Sequence, residues 1–190
     1  MPKIAFIGTH GVGKTILTFS VASVLRKASI DADVSYENSR HSPFPINEGT
    51  TLASQTWIFA SQIKSELEAS IRSPIVICDR AVIDNYAYMV RGCGVQEHMH
   101  PIIKKWNETY DLFFLVPIID EAVTPDRQRA TSSVFQREIQ DIVEELIGKF
   151  GVKSKTVRLP QRRSEHLDLI LHTLEKSGIL GTQPFQKQMF

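Results

Sequence analysis

The sequence predicts an α/β protein, with a five-stranded parallel sheet between helices in a single domain over residues 1–190. Three observations lead there. Short apolar runs alternate with longer stretches of helical period. The glycine-rich stretch GTHGVGKT (8–15) joins the first apolar run directly to the first helical pattern. No internal repeat or low-complexity segment breaks the alternation.

In chain order, the strands are expected at Ile4 to Ile7, Ala32 to Tyr36, Ile75 to Cys78, Leu112 to Val116 and Thr156 to Leu159. Each is short and mostly apolar, as a strand buried on both faces requires. Four helices are marked by periodicity. Leu17, Val21, Val24, Leu25 and Ala28 share a face, and Phe59, Ile63, Leu67 and Ile71 recur at spacing four. Phe135, Ile139, Ile142, Val143, Leu146 and Phe150 make a third stripe, and Leu167, Ile170, Leu171 and Leu174 a fourth. Two irregular stretches interrupt the pattern. SRHSPFPINEGT (39–50) carries two prolines and a glycine, and IDEAVTPDRQRATSS (119–133) mixes acids with arginines. Each follows a strand, where open α/β sheets place their ligands. The tail GTQPFQKQMF has no clear period.

Composition sets limits on function. Hydrophobic residues at 42% and charged residues at 23% are ordinary for a globular protein. A formal net charge of +1 gives no strong electrostatic case for nucleic acid or an anionic membrane as the main partner. Two cysteines do not make a disulfide framework. Cys78 lies in the apolar run after Ile75-Val76-Ile77 and reads as a buried, reduced thiol, which fits a cytoplasmic protein. MPKIAFIG is too soon broken by glycine to read as a signal peptide, and no apolar stretch is long enough to span a bilayer.

Gly8-x-x-x-x-Gly13-Lys14-Thr15 matches the P-loop pattern in the right context, between a strand and a helix. Glycines let backbone N–H groups close around a phosphate, and the helix that starts here adds the positive end of its dipole. Lys14 supplies a charge for the terminal phosphates and Thr15 a hydroxyl for Mg²⁺. The nucleotide contacts are therefore assigned to Gly8, His10, Gly11, Val12, Gly13, Lys14, Thr15 and Ile16. For His10 a solvated loop histidine is the competing reading.

Ile75-Val76-Ile77-Cys78-Asp79-Arg80 is an apolar run ending in an acid. After a P-loop, such an acid holds Mg²⁺ directly or through water. The alternative is that Asp79 caps a helix formed by AVIDNYAYMV. Arg80 would then point toward the same phosphates, while Asp84 and Asn85 either face the site or cap and solvate. His98 and His100 in QEHMH are too few to make a metal site.

CDRAVIDNYAY (78–88), read with GTHGVGKT, YENSR (36–40), SQTWIFASQIKSE (54–66) and DRQR (126–129), resembles the P-loop small-molecule and nucleotide kinases, thymidylate and deoxynucleoside kinases among them. The likeness is strongest to ribosylnicotinamide-kinase domains and the ATP-binding proteins grouped with them, and it spans most of the chain in the expected order. It implies a three-layer P-loop NTPase fold of the nucleoside monophosphate kinase type. It implies an acceptor side over about 37–70, where Glu37 takes the proton of an acceptor hydroxyl, or orients a sugar or base while Arg40 clamps a phosphate. Trp57 and Arg80 join that side, and Gln55 and Trp57 suit a flat base. It also implies a lid over about 119–133, from which Arg129, with Arg127, closes on the transferring phosphoryl group. At Arg127 the sequence departs from the family pattern, which has a small residue there. The loop holding Arg162 would lie near the adenine.

The expected function is transfer of a phosphoryl group from ATP, or GTP, to a nucleoside, nucleotide or similar small hydroxylated metabolite, with Mg²⁺. Lys14, Asp79, Glu37 and Arg129 would carry the chemistry. A homodimer is an open arrangement. The runner-up is a regulatory NTPase, although no guanine-reading NKxD motif is present.

Overall fold

The computed structural model describes residues 1–46, 49–119 and 133–180. Among them, β1 (Lys3–Ile7), β2 (Ala32–Ser35), β3 (Ile75–Asp79), β4 (Leu112–Leu115) and β5 (Thr156–Arg158) pair in parallel in the order β2-β3-β1-β4-β5. Every strand falls within one residue of its sequence-predicted bounds. The helices are α1 (Lys14–Lys27), α2 (Leu52–Arg72), α3 (Val82–Cys93), α4 (His100–Asn107), α5 (Ser133–Lys149) and α6 (His166–Lys176).

Strand periodicity divides the core in two. Ile4, Phe6, Ile77, Phe114 and Val116 point to one face and pack with Val21 and Leu25 of α1 and Ile170 and Leu174 of α6. Ala5, Ile7, Val76, Cys78, Phe113 and Leu115 point to the other and pack with α2, α3, α4 and α5. The result is the three-layer arrangement that the alternation predicted. Cys78 is buried and free, and burial pushes its thiol pKa well up.

Two helical expectations change. The stripe Phe59, Ile63, Leu67 and Ile71 does not stay buried: Phe59 is 3% exposed but Ile71 is 85%. Steps of four advance 400°, so each rotates the stripe by about 40° and the third has left the core. The residues that pack are Ser54, Gln55, Ile58, Phe59, Gln62, Glu66 and Ala69, about half of them polar. Ala28 is likewise exposed, and it is the C-cap of α1, not part of its packed face. No stripe marked α3, because the helix is buried nearly all round, from Val82 through Met89. Its N-cap is Ala81, without a side-chain cap bond, so Asp79 does not cap it.

The polar half of the α2 face is anchored at Glu66, which is 1% exposed. Lys3 Nζ (2.8 Å), Trp106 Nε1 (2.7 Å), Tyr110 Oη (2.5 Å) and Gln62 Nε2 (2.9 Å) all donate to its carboxylate. Lys3 Nζ also lies over the rings of Trp106 and Tyr110, at 4.8 and 4.3 Å. Four donors make this buried pair tolerable, and removing the acid would strand a buried ammonium. Glu66→Ala should therefore cost about 3–5 kcal/mol in denaturant unfolding. A loss below about 1 kcal/mol would mean that Lys3 reaches water.

Candidate active site

The strand order brings the site together. β3 lies between β1 and β2, and Phe6 pairs with Asp79. The loop after β1 therefore leaves the sheet beside the acid that ends β3, although 71 residues separate Gly8 from Asp79 in the chain.

Residues 8–13 form the turn into α1. Gly8 has φ +129°, and a Cβ there would lie 2.8 Å from Val116 O and 3.1 Å from Gln140 Oε1. Only glycine fits. Gly13, at φ +97°, is the N-cap of α1 and offers no side-chain acceptor, so the first-turn amides face the loop. Val12 is 5% exposed and anchors the loop in the α1/α6 core. Ile16 is 66% exposed on the surface of α1. Gly11 and Thr15 are half-buried.

Three successive loop amides are held by side chains from elsewhere. Gly8 N–H donates to Asp84 Oδ1, Thr9 N–H to Gln140 Oε1 and His10 N–H to Tyr88 Oη, each at 3.0 Å. The solvated reading of His10 is thus corrected. The residue is 7% exposed, with its ring against Tyr88 and Phe135 at centroid distances of 6.4 and 5.5 Å. Aromatic neighbours from α3 and α5, invisible to local sequence, exclude water from it.

Lys14 is buried and its Nζ donates to Gly8 O at 2.8 Å and to Thr9 O. Burial, followed by the charge of Arg80, lowers its pKa to about 7 against the pull of Asp84, Asp79 and Glu37. Burial raises Asp84 to about 6, against Lys14 and Arg80, and it raises Asp79 as well. Thr15 Oγ1 donates to Asp79 Oδ2 at 2.6 Å, while the buried Oδ1 has no hydrogen-bond partner among the described residues. A hydroxyl beside a carboxylate with an unused oxygen fits Mg²⁺, which takes few protein oxygens and completes its shell with phosphate and water. Among the described residues no cluster of three or more His, Cys, Asp or Glu could hold a metal. His100 instead sits 2.8 Å from Tyr86 Oη.

The second half of the site lies beyond β2 and β3. Arg80 Nε donates to Glu37 Oε1 at 2.9 Å, and Ser39 Oγ donates to the same oxygen at 2.7 Å. Arg80 has φ +94°, a conformation a non-glycine residue holds only where its surroundings fix it. Here Gln62 Nε2 donates to its carbonyl at 3.1 Å, and its guanidinium lies 5.0 Å from the Tyr88 ring centroid. A pocket of about 50 Å³ opens here. Glu37, Arg40 and Arg80 line it, together with His10, Ile58 and Tyr88. Gln55 and Asn85 also line it, and among the described residues Gln55 Oε1 and Asn85 Nδ2 are buried without partners.

Lys14, Thr15, Asp79, Asp84 and Arg80 thus come together, with Glu37 and Arg40 alongside. Trp57 does not line the pocket. Two residues past Gln55, it is rotated about 200° around α2 and is half-buried elsewhere. Arg162 pairs with Glu165 at the surface, whereas Arg163 Nη1 lies 3.6 Å from where a Gly13 Cβ would be. Arg127 and Arg129 lie outside the described residues. The sequence marks Asn85 as a residue that faces the site or caps, and Tyr88 as part of the motif CDRAVIDNYAY; both line the pocket. Gln136 and Gln140 carry no such signal in the sequence.

A family model described as an AAA domain matches residues 3–163. The chain belongs to this AAA-domain family. No curated protein sequence matches it. Its fold is shared with solved structures, kinases among them. NadR in complex with NAD and AMP-PNP superposes with a TM-score of 0.67 at 16% identity, over 100% of this chain and 52% of that one. The chain therefore spans about half the length of NadR. Deoxyadenosine kinase from M. mycoides with bound dATP gives a TM-score of 0.60 at 16% identity, covering 92% of this chain and all of that one. Thymidylate kinase from Candida albicans gives 0.64 at 13%, covering 92% and 91%. The match makes this AAA-domain chain a P-loop protein with a kinase-type α/β fold. Among the described residues no helix is long and apolar enough to cross a membrane.

Two predictions follow from the loop. Gly8→Ala should lower stability by about 1–3 kcal/mol through backbone strain and weaken nucleotide binding; an unchanged melting curve and affinity would refute the contact with Val116. Polyanion binding should take up protons near pH 7, because a phosphate beside Lys14 and Asp84 favours the protonated form of both, and Lys14 titrates near 7. Calorimetry of AMP-PNP binding in buffers of different ionisation enthalpy should show net uptake, reduced in Lys14→Met.

Proposed function

We propose that the chain transfers the terminal phosphoryl group of ATP, or of GTP, to a small hydroxylated acceptor of the nucleoside or nucleotide class, with Mg²⁺. The observation that carries this reading is the adjacency of two half-sites. His10 belongs to the phosphate loop and also lines the pocket that holds the Glu37–Arg80 pair. An NTPase switch has no use for a second, polar pocket beside its phosphate loop, whereas a transferase requires one.

In this reading residues 1–190 form one domain, with its acceptor side over about 37–70 and its lid over about 119–133. Lys14 and the loop amides hold the donor phosphates, leaving the γ-phosphorus open to in-line attack. Thr15 and Asp79 would hold Mg²⁺, which supplies charge neutralisation across the phosphates. Glu37 accepts the acceptor hydroxyl's proton. Arg80 aims that carboxylate, since the two are ion-paired within a largely buried setting. The Arg80 charge is already matched by Glu37, which supports a neutral hydroxyl over a monophosphate as acceptor. Gln55 Oε1 and Asn85 Nδ2 would offer an acceptor and a donor to a flat, polar ring. Arg40 borders the same pocket, and Arg127 and Arg129 would close over the phosphoryl group.

A coupled assay across nucleosides, nucleoside monophosphates and vitamin-like hydroxylated acceptors tests this. Glu37→Gln should cut transfer about 100- to 10,000-fold and leave ATP affinity nearly unchanged. Undiminished turnover in that variant would remove Glu37 as base. ATP consumption that no acceptor accelerates, yet which Asp79→Ala abolishes, would favour the NTPase.

A further inference from the structure

Two glutamines one helical turn apart on α5 grip the phosphate loop by its backbone. Gln140 Oε1 accepts from Thr9 N–H at 3.0 Å, and Gln136 Nε2 donates to His10 O at 3.0 Å. Both glutamines are 8% exposed. Their spacing of four places them on one face of α5, stacked one above the other. The amide orientations are set by the partners. Turning Gln140 over would aim an N–H at an N–H, and turning Gln136 over would aim an oxygen at an oxygen. Phe135, the residue before Gln136, packs on the His10 ring at 5.5 Å. Gly8 completes the fit, since a Cβ there would come within 3.1 Å of Gln140 Oε1.

We infer that Gln136 and Gln140 are positioning residues for the nucleotide donor. They grip the peptide groups on either side of Thr9 and His10, which fixes the path of the chain into Gly11 to Thr15. The amides from Gly11 onward then face the phosphates. The amides of Gly8, Thr9 and His10 are committed instead to Asp84, Gln140 and Tyr88. The loop is thus preorganised by the far helix rather than by its own sequence. Preorganisation of this kind raises affinity by reducing the ordering that binding would otherwise require. The inference rests on reading residues 8–15 as a nucleotide cradle, and it does not need the transfer step.

The hydrogen-bond directions make the test specific. Gln140 must accept, so Gln140→Glu retains the contact and Gln140→Leu loses it. Gln136 must donate, so Gln136→Leu loses its contact and Gln136→Glu sets a carboxylate against the His10 carbonyl. The measurements are hydrogen exchange at the Thr9 amide in the nucleotide-free full chain and equilibrium binding of Mg²⁺–AMP-PNP. Thr9 exchange should quicken about tenfold or more in Gln140→Leu and stay slow in Gln140→Glu. AMP-PNP affinity should fall roughly three- to tenfold in Gln140→Leu and Gln136→Leu, the worth of one backbone-to-side-chain hydrogen bond. The acceptor KM should not move. If Gln140→Leu does not fold, the contrast between Gln140→Glu and Gln136→Glu in Thr9 exchange and AMP-PNP affinity decides. Equal AMP-PNP affinity in the folded leucine variants and the parent protein would overturn the inference, as would Thr9 exchange indifferent to residue 140. A parent protein that binds no AMP-PNP would overturn it as well. A protein that binds AMP-PNP with this pattern but phosphorylates no acceptor would sink the proposed function and leave this inference standing.

Discussion

The pairing of β3 with β1 is the constraint on which the site depends. A chain running β1-α1-β2 could set β2 directly against β1. Here β3 takes that place, and its last residue, Asp79, pairs with Phe6. Everything chemical follows from that register. Thr15, on the first turn of α1, meets Asp79 at 2.6 Å. Arg80, one residue on, turns through a positive φ and reaches Glu37 at the end of β2. A slip of one residue in β3 would send Asp79 to the opposite face and break both contacts.

The cost of that arrangement is a set of charges held out of water. Lys14, Asp79, Asp84 and Arg80 are all buried, and Glu37 nearly so. Burial drives the lysine pKa down and both aspartates up, the directions that reduce charge. Mutual attraction keeps the group together, but the balance favours the arrival of a phosphate and a divalent cation, which would pair with the lysine and the carboxylates. The buried Lys3–Glu66 pair contrasts with it. There the carboxylate accepts from Lys3, Trp106, Tyr110 and Gln62. Such a satisfied network holds structure. Gln62 links the two, donating both to Glu66 and to the carbonyl of the strained Arg80.

The strands were legible because burial on both faces leaves a continuous apolar signature, and the P-loop because its geometry tolerates few other residues. Gly8 shows the limit of that legibility. Its pattern marks a phosphate loop, but the reason for glycine is Val116 O and Gln140 Oε1, more than 100 residues away. Leu67 and Ile71 misled because spacing four drifts off a helix face. Trp57 misled because its chemistry suited a base while its position on α2 points it away from Gln55 and Ile58. His10 looked solvated because its neighbours Tyr88 and Phe135 come from distant helices.

By itself, the sequence determined the class of fold, the phosphate loop and the acid and arginine beside it, since these are local patterns of apolarity, glycine and charge. It also set Glu37 at a strand end, where ligands bind. Tertiary structure alone decided which groups face one another. The β2-β3-β1 order brought Glu37 to Arg80, and the packing of α5 brought Gln136 and Gln140 to the loop. Those contacts join residues 43 to 131 positions apart. Their physical basis is strand order and helix rotation, and neither leaves a trace in local sequence.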